Sequence, residues 1–372
     1  MNKLEILKRL DAMLGPLCIR IAKPLRSVHS EKSGRFERVL FIRPGGIGDA
    51  VLLLPAIQQL KTILPGAMID VLSEKRNSAL FKLCTAVNRI FRYDAFRECV
   101  AVLRGNYDVI IDTEQWHRLS AVVARLTRAP MLIGYSTNER KKLFHFPVSY
   151  SQDDYEVTSF LHLLEPILST RDYTWKLPFL HIPEEFVAQG TKKLGQISPL
   201  QCVALFPGGS IRERRWGNSN FHQVARQLSE KGYGIVVVGG GEDVRSGAEI
   251  VAGLSNARNL CGQLSLPETA AVLSRTALLV TGDSGIMHIG YGLGIKIVAL
   301  FGPGREEKWA PRGENCIILN KHLSCSPCTT YGYTPRCKIN AECMNKITIG
   351  EVVNASIMLL EKKFISSSSP RA

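Results

Sequence analysis

The chain has 372 residues, 45% hydrophobic and 22% charged, values of a folded globular protein that exclude long disorder, collagen-like repeats and a disulfide-dense miniature scaffold. This length exceeds what one hydrophobic core usually supports, so two domains are expected, with one large α/β unit the alternative. Lys and Arg number 47 against 33 Asp and Glu, and the net charge of +14 suits phosphates, nucleic acid or an anionic membrane without choosing among them.

Residues 1–36 read as a basic amphipathic segment. Leu4, Leu7, Leu10, Leu14 and Leu17 recur at three- and four-residue intervals, and Lys3, Lys8, Arg9, Arg20, Lys23 and Arg26 lie among and after them. Such a helix either lies on anionic lipid or packs on its own domain. The segment lacks the apolar run and small-residue cleavage site of a secretory signal, and no stretch approaches the roughly 20 apolar residues of a spanning helix. A cytoplasmic protein is expected, peripheral on the inner membrane if the helix meets lipid.

Residues 37–183 alternate β-branched runs with helical patterns: strands over 38–43, 68–72, 109–111 and 131–133, and helices through residue 60 and over 118–126. Parallel strands need crossovers, usually helical, so this alternation predicts βαβ units. Pro166, Pro178 and Pro183 interrupt the pattern and place a boundary near Pro183. Residues 184–372 repeat it, with strands over 202–206, 235–238, 278–281 and 296–300 and a helix over 221–231, before a serine-rich tail at Ser366–Ser369. Two doubly wound α/β domains follow.

Gly-rich junctions follow four of these strands. In Arg43-Pro44-Gly45-Gly46-Ile47-Gly48-Asp49 a strand gives way to a helix whose free N–H groups favour an anion approaching the glycines. Asp49 is then a functional carboxylate or a complement to the helix dipole. Gly208-Gly209-Ser210, followed by Arg212, Arg214 and Arg215, suits a diphosphate, because guanidinium forks stay charged. Glu242, after Gly239-Gly240-Gly241, is placed to accept ribose hydroxyls, with Asp243 beside it as a candidate helix cap. Asp283, Ser284 and Gly285 end a strand where a helix starts, the usual ligand position in open α/β sheets, and His288 is expected buried.

The runs FIRPGGIGDAVLLLPAIQQLK, LFPGGSIRERRWGNSNF and VTGDSGIMHIGYGLGIKIVALFGP together resemble the signature segments of glycosyltransferase family nine, the ADP-heptose:lipopolysaccharide heptosyltransferases. The resemblance implies a GT-B architecture, two Rossmann-like domains facing a cleft, with the acceptor on the first and the nucleotide sugar on the second. It implies inverting, metal-independent transfer from ADP-heptose to a lipid A-linked core saccharide. Asp49 matches the family's general base, Asp283 its donor-sugar aspartate, Ser284 and Gly285 the diphosphate site, and Glu242 the ribose carboxylate. Where several members carry Lys before the Trp, this chain has Arg214 and Arg215. The residues support the same chemistry: an alcohol must lose its proton while charge builds on a leaving diphosphate, and the chain offers carboxylates and fixed cations but no Asp-x-Asp metal motif.

Cys325, Cys328, Cys337 and Cys343 have spacings that allow a structural zinc, disulfides or free thiols, with no part in catalysis. Two rival functions share the sequence: a same-fold transferase using another nucleotide sugar for O-antigen or capsule, and a non-catalytic module binding nucleic acid or membrane. Zinc-finger and aromatic RNA-binding signatures are absent, which argues against nucleic acid.

Overall fold

Short runs of Val, Ile, Leu and Phe form the sheets. In the N-terminal unit, Met1–His181, they give β1 (Arg38–Ile42), β2 (Met68–Ser73), β3 (Arg89–Arg92), β4 (Val109–Asp112), β5 (Met131–Tyr135) and β6 (Phe146–Val148). All pair in parallel, in the order β3-β2-β1-β4-β5-β6. The helices are α1 (Lys3–Ala22), α2 (Ile47–Ile63), α3 (Lys75–Ser78), α4 (Phe96–Leu103), α5 (Leu119–Leu126) and α6 (Glu156–His162). Every residue of β4 is buried, and all of β1 beyond Arg38, which is why β1 after Arg38 and β4 up to Asp112 read as continuous apolar runs. The computed structural model describes residues 3–24, 36–168, 173–198 and 201–362 of the chain.

The C-terminal unit, Ile182–Ala372, repeats the winding. Its strands are β7 (Cys202–Phe206), β8 (Gly234–Val237), β9 (Ala257–Asn259), β10 (Leu278–Gly282), β11 (Ile297–Phe301) and β12 (Cys316–Asn320), in the order β12-β11-β10-β7-β8-β9. Its helices are α7 (Glu184–Leu194), α8 (Asn218–Glu230), α9 (Val244–Val251), α10 (Leu266–Leu273), α11 (Gly285–Gly292), α12 (Glu306–Trp309), α13 (Glu342–Asn345) and α14 (Ile349–Glu361). In both units the first strand lies beside the fourth, β1 by β4 and β7 by β10. At that point successive crossovers run to opposite sides, and loops leaving the strands' C-terminal ends diverge around a crevice.

The amphipathic helix exists, but its packed face differs from the predicted one. Ile19 and Ala22 are buried in the N-terminal core, whereas Leu14 and Leu17 are exposed. Two residues set this orientation. The Asp11 carboxylate is buried and accepts the N–H groups of Arg118 and Leu119, both at 2.8 Å, capping α5. Gly15 lets the Arg118 side chain lie against α1, where an added Cβ would approach its Cδ to 2.7 Å. The side chains of Leu4, Leu7, Leu10, Lys3, Lys8 and Arg9, together with Arg26 and the Ser366–Ser369 tail, lie outside the described residues. Among the described helices none is long and apolar enough to cross a membrane.

Candidate active site

The N-terminal switch point is built around Arg43, the residue that leaves β1. Its side chain is buried, and Nη1 donates to the Thr113 carbonyl beyond β4 at 2.8 Å. Nη2 meets Asp49 Oδ2 at 3.3 Å and lies 3.8 Å from Glu114 Oε2. Burial opposes the charge on Arg43, but Asp49, Glu114 and Glu156 outweigh it and hold its pKa above the ordinary value. Glu114 is buried as well; burial alone would raise its pKa, and Arg43, His117 and Arg140 together bring it below the usual carboxylate range. Glu156 accepts from Gln115 Nε2 at 2.6 Å and from the Tyr150 hydroxyl at 3.0 Å.

Asp49 belongs to the first turn of α2, whose N-cap, Gly46, provides no side-chain cap. The preceding loop is held by Asn77 of α3, whose amide donates to the carbonyls of Arg43 and Gly45 at 3.2 and 3.1 Å. Gly45 has φ +103°, a left-handed conformation costly to any other residue, and an added Cβ would meet the Arg43 guanidinium. The Asp49 side chain keeps 27% exposure while its neighbours Arg43 and Glu114 are nearly covered. It is the carboxylate of this group that a solute reaches, and it lies on a fixed cation beside Gly46 and Gly48.

At the C-terminal switch point Arg214 and Asp283 meet directly, Nη1 to Oδ2 at 2.7 Å. Arg214 Nη2 lies 3.3 Å from the hydroxyls of both Thr329 and Thr334. Asp283 needs Gly304 opposite it, since a Cβ there would collide with the carboxylate. Ser284 caps α11: its Oγ accepts from Met287 N at 3.2 Å and lies 3.1 Å from Thr281 Oγ1, with Gly285 opening the helix. Arg215 is turned elsewhere, its Nε and Nη2 donating to the Gly209 carbonyl at 2.8 and 2.6 Å, beside the exposed Ser210.

Glu242 is exposed on the turn after β8. Asp243 is buried next to it and accepts from Gly240 N at 3.0 Å; it closes the turn and makes no side-chain cap on α9. Burial raises the Asp243 pKa. The sequence-selected residues therefore fall into separate groups: Asp49 with Gly45, Gly46 and Gly48; Arg214 with Asp283, Ser284 and Gly285; Arg215 with Ser210; and Glu242 alone at the β8 end.

The sequence profile of "Glycosyltransferase family 9 (heptosyltransferase)" matches residues 97–338, more than half of the chain. The chain belongs to glycosyltransferase family 9. Among its curated relatives, a lipooligosaccharide heptosyltransferase 2 of Haemophilus ducreyi is 24% identical over 308 residues, 76% of this chain and 88% of the relative. A lipopolysaccharide heptosyltransferase 2 of Escherichia coli K12 is 33% identical over 148 residues, 38% of this chain and only 42% of the relative. The family 9 fold is shared with the solved E. coli ADP-heptose LPS heptosyltransferase II, at a TM-score of 0.72 and 22% identity over 87% of this chain and 98% of that one. The α/β fold of two Rossmann-like units is thus the family's own.

Within this family 9 chain the cysteine segment takes one of the three forms its spacing allowed, that of free thiols. All ten cysteines are free, and among the described residues no three His, Cys, Asp or Glu side chains are arranged to hold a metal ion. The structural zinc that the spacing allowed at Cys325, Cys328, Cys337 and Cys343 finds no arranged ligand set among the described residues: Cys325 is exposed, Cys343 is buried in the core, and the Cys337 sulfur accepts from Ala341 N at 3.2 Å. The segment instead braces the C-terminal switch point. Cys328 N and Thr329 N donate to the Pro303 carbonyl at 3.1 and 2.9 Å, Ser326 Oγ donates to Gly302 O, and Thr329 and Thr334 hold Arg214.

Sequence reasoning missed Arg43, Glu114, Thr329 and Thr334 as site residues. An arginine closing a buried apolar strand was the available signal for Arg43. The two threonines carried none.

Proposed function

We propose that the chain is an inverting, metal-independent transferase that moves heptose from ADP-heptose to the inner core of lipopolysaccharide. The observation that carries this reading is the partly exposed Asp49 held on the buried Arg43 at the N-terminal switch point. Residues 37–183 take the acceptor and residues 184–372 the donor. Asp49 accepts the proton of the acceptor hydroxyl as that oxygen attacks the anomeric carbon from the face opposite the diphosphate. The C–O bond to ADP breaks, its electron pair leaves with the diphosphate, and the anomeric centre inverts.

The charge developing on ADP is met by Arg214, Arg215, Ser210 and the N–H groups that open α11 after Ser284 and Gly285. Glu242 receives the ribose hydroxyls and Asp283 the sugar. Because Arg214 already faces Asp283, donor binding brings the diphosphate to a cation oriented in advance, which lowers the reorganisation needed during transfer. The acceptor is linked to lipid A, so the reaction takes place at the cytoplasmic surface of the inner membrane. The kinship with heptosyltransferases supports the donor class.

The test is nucleotide release from ADP-heptose in the presence of a delipidated core acceptor, compared with UDP- and GDP-sugars, with the product anomer read by NMR. Acceptor-dependent ADP release with inversion is expected. Faster turnover of another nucleotide sugar overturns the donor assignment, and retention overturns the single-displacement mechanism.

A further inference from the structure

We infer that the outward face of α1 is a docking surface for an anionic phospholipid membrane, with a cationic hollow beside it that receives a lipid phosphate. The helix commits Asp11, Gly15, Ile19 and Ala22 to its own unit. On its other side Met13, Leu17 and Ile21 are 77%, 54% and 66% exposed, one stripe at four-residue spacing, with Leu14 next to it. A row of large apolar side chains left in water beside a well-packed face marks an interaction surface.

The hollow next to this stripe measures about 220 Å³ and is lined by Pro16, Ile19, Arg20, Lys23, Glu139 and Lys142. Glu139 is paired with Arg118 at 2.9 Å and also feels Lys142, so one carboxylate is shared among several cations and the hollow keeps an excess of positive charge. An apolar stripe alone fits many partners. A stripe flanked by this hollow fits anionic lipid, in which the apolar side chains enter the acyl boundary while the cations meet headgroup phosphates. A second copy of the chain fits worse, because a two-fold contact would set the same cations against each other in a protein of net charge +14. The inference deepens the proposed function by naming the surface that would hold the enzyme in the plane of a lipid-linked acceptor, and only that purpose rests on it.

The experiment is sedimentation of the full chain with vesicles of phosphatidylglycerol and phosphatidylcholine, and with phosphatidylcholine alone. Two variants are compared, Met13→Ser/Leu17→Ser/Ile21→Ser and Arg20→Ala/Lys23→Ala/Lys142→Ala, neither of which touches the packed face. The wild type should prefer the mixed vesicles. The charge variant should bind them on the order of a hundredfold more weakly, and the serine variant at least about tenfold more weakly, with melting temperatures near that of the wild type.

Raising the salt concentration on the unaltered chain reads the same charge contact without substitution and should release it from the vesicles. Equal binding to both vesicle types, or binding unchanged in both variants, overturns the inference. A dimer that the serine variant dissolves, with no vesicle binding, also overturns it and gives the face to a second copy. Transfer to a soluble acceptor separates the two readings: a chain that binds mixed vesicles but transfers no heptose upholds the surface and overturns the function.

Discussion

Arg43 illustrates how one residue makes a neighbour useful. A buried guanidinium without partners would cost several kcal/mol, yet here it faces Asp49 and Glu114 and braces the Thr113 carbonyl. Glu114 is covered and serves to balance charge, which leaves Asp49 as the carboxylate within a solute's reach. Asp49→Asn keeps the shape and removes the basicity. Turnover is expected to fall by about 10²–10⁴-fold, with ADP affinity, measured by calorimetry, unchanged. Full turnover of the Asn variant would remove Asp49 from the mechanism, and loss of ADP binding would move it to the donor site.

His288 carries a different residue-scale consequence. It is 4% exposed, its Nδ1 has no hydrogen-bond partner among the described residues, and burial depresses its pKa to about 4, with Arg214 adding to the depression and Asp283 opposing it. The folded state therefore holds a neutral imidazole that the unfolded chain protonates near pH 6.5. Stability is fully present above that value and declines as pH falls toward the folded pKa, by about 2 kcal/mol at pH 5. Urea unfolding at pH 7 and pH 5 should show this loss, and His288→Asn should remove it. An identical pH dependence in the variant would assign the acid limb to other groups.

At the scale of elements, α1 is held by polar contacts as much as by apolar ones. Burial alone would raise the Asp11 pKa, but His117 and the N–H groups of Leu119 and Arg118 prevail and keep it below the ordinary range. Asp11→Ala uncaps α5 and should cost about 1–2 kcal/mol, read as a lower denaturation midpoint at unchanged m-value. Deleting residues 1–30 should lower the melting temperature further, since Ile19 and Ala22 leave the core. Truncation therefore mixes stability with any surface contact, and for that reason the lipid inference is tested with substitutions on the outward face.

The edge strands show why some elements escape sequence reading. Strands β3 (Arg-Ile-Phe-Arg) and β9 (Ala-Arg-Asn) are short and partly exposed, and β6 contains Pro147, which a sheet tolerates at its margin. Central strands are covered by helices on both faces and are mostly apolar, so β1, β4, β7 and β10 were visible as runs, and the buried Asp112 that ends β4 is paired with Arg140. Edge strands are specified mainly by the neighbour they pair with.

Across the whole molecule, two sheets of the same winding present charged groups at the same topological position, carboxylate over arginine in one and arginine with aspartate in the other. The proposed chemistry draws its positive charge from guanidiniums and N–H groups. Transfer from ADP-heptose should accordingly persist in EDTA, with the melting temperature recorded alongside the rate. A rate lost to chelator and restored by Mg²⁺ would contradict the mechanism.

The sequence by itself determined the periodicities, the Gly-rich strand ends and the family, because a strand's burial and a helix start's need for N–H partners are written within a few residues. It also selected Asp49, Arg214 and Asp283. Tertiary structure decided which of these meet. Arg43 reaches a carbonyl 70 positions along the chain, and Arg214 a hydroxyl 115 positions away. The same holds for α1, whose packed side follows from a cap offered by Asp11 to α5, 107 residues later. It holds too for the four cysteines, whose spacing allowed a metal, disulfides or free thiols: all four are free and near enough to act on one another's charge, yet Cys325 is exposed while Cys343 is buried in the core. Spacing along the chain limits which groups can come together, but the direction of each side chain depends on what the rest of the fold buries around it.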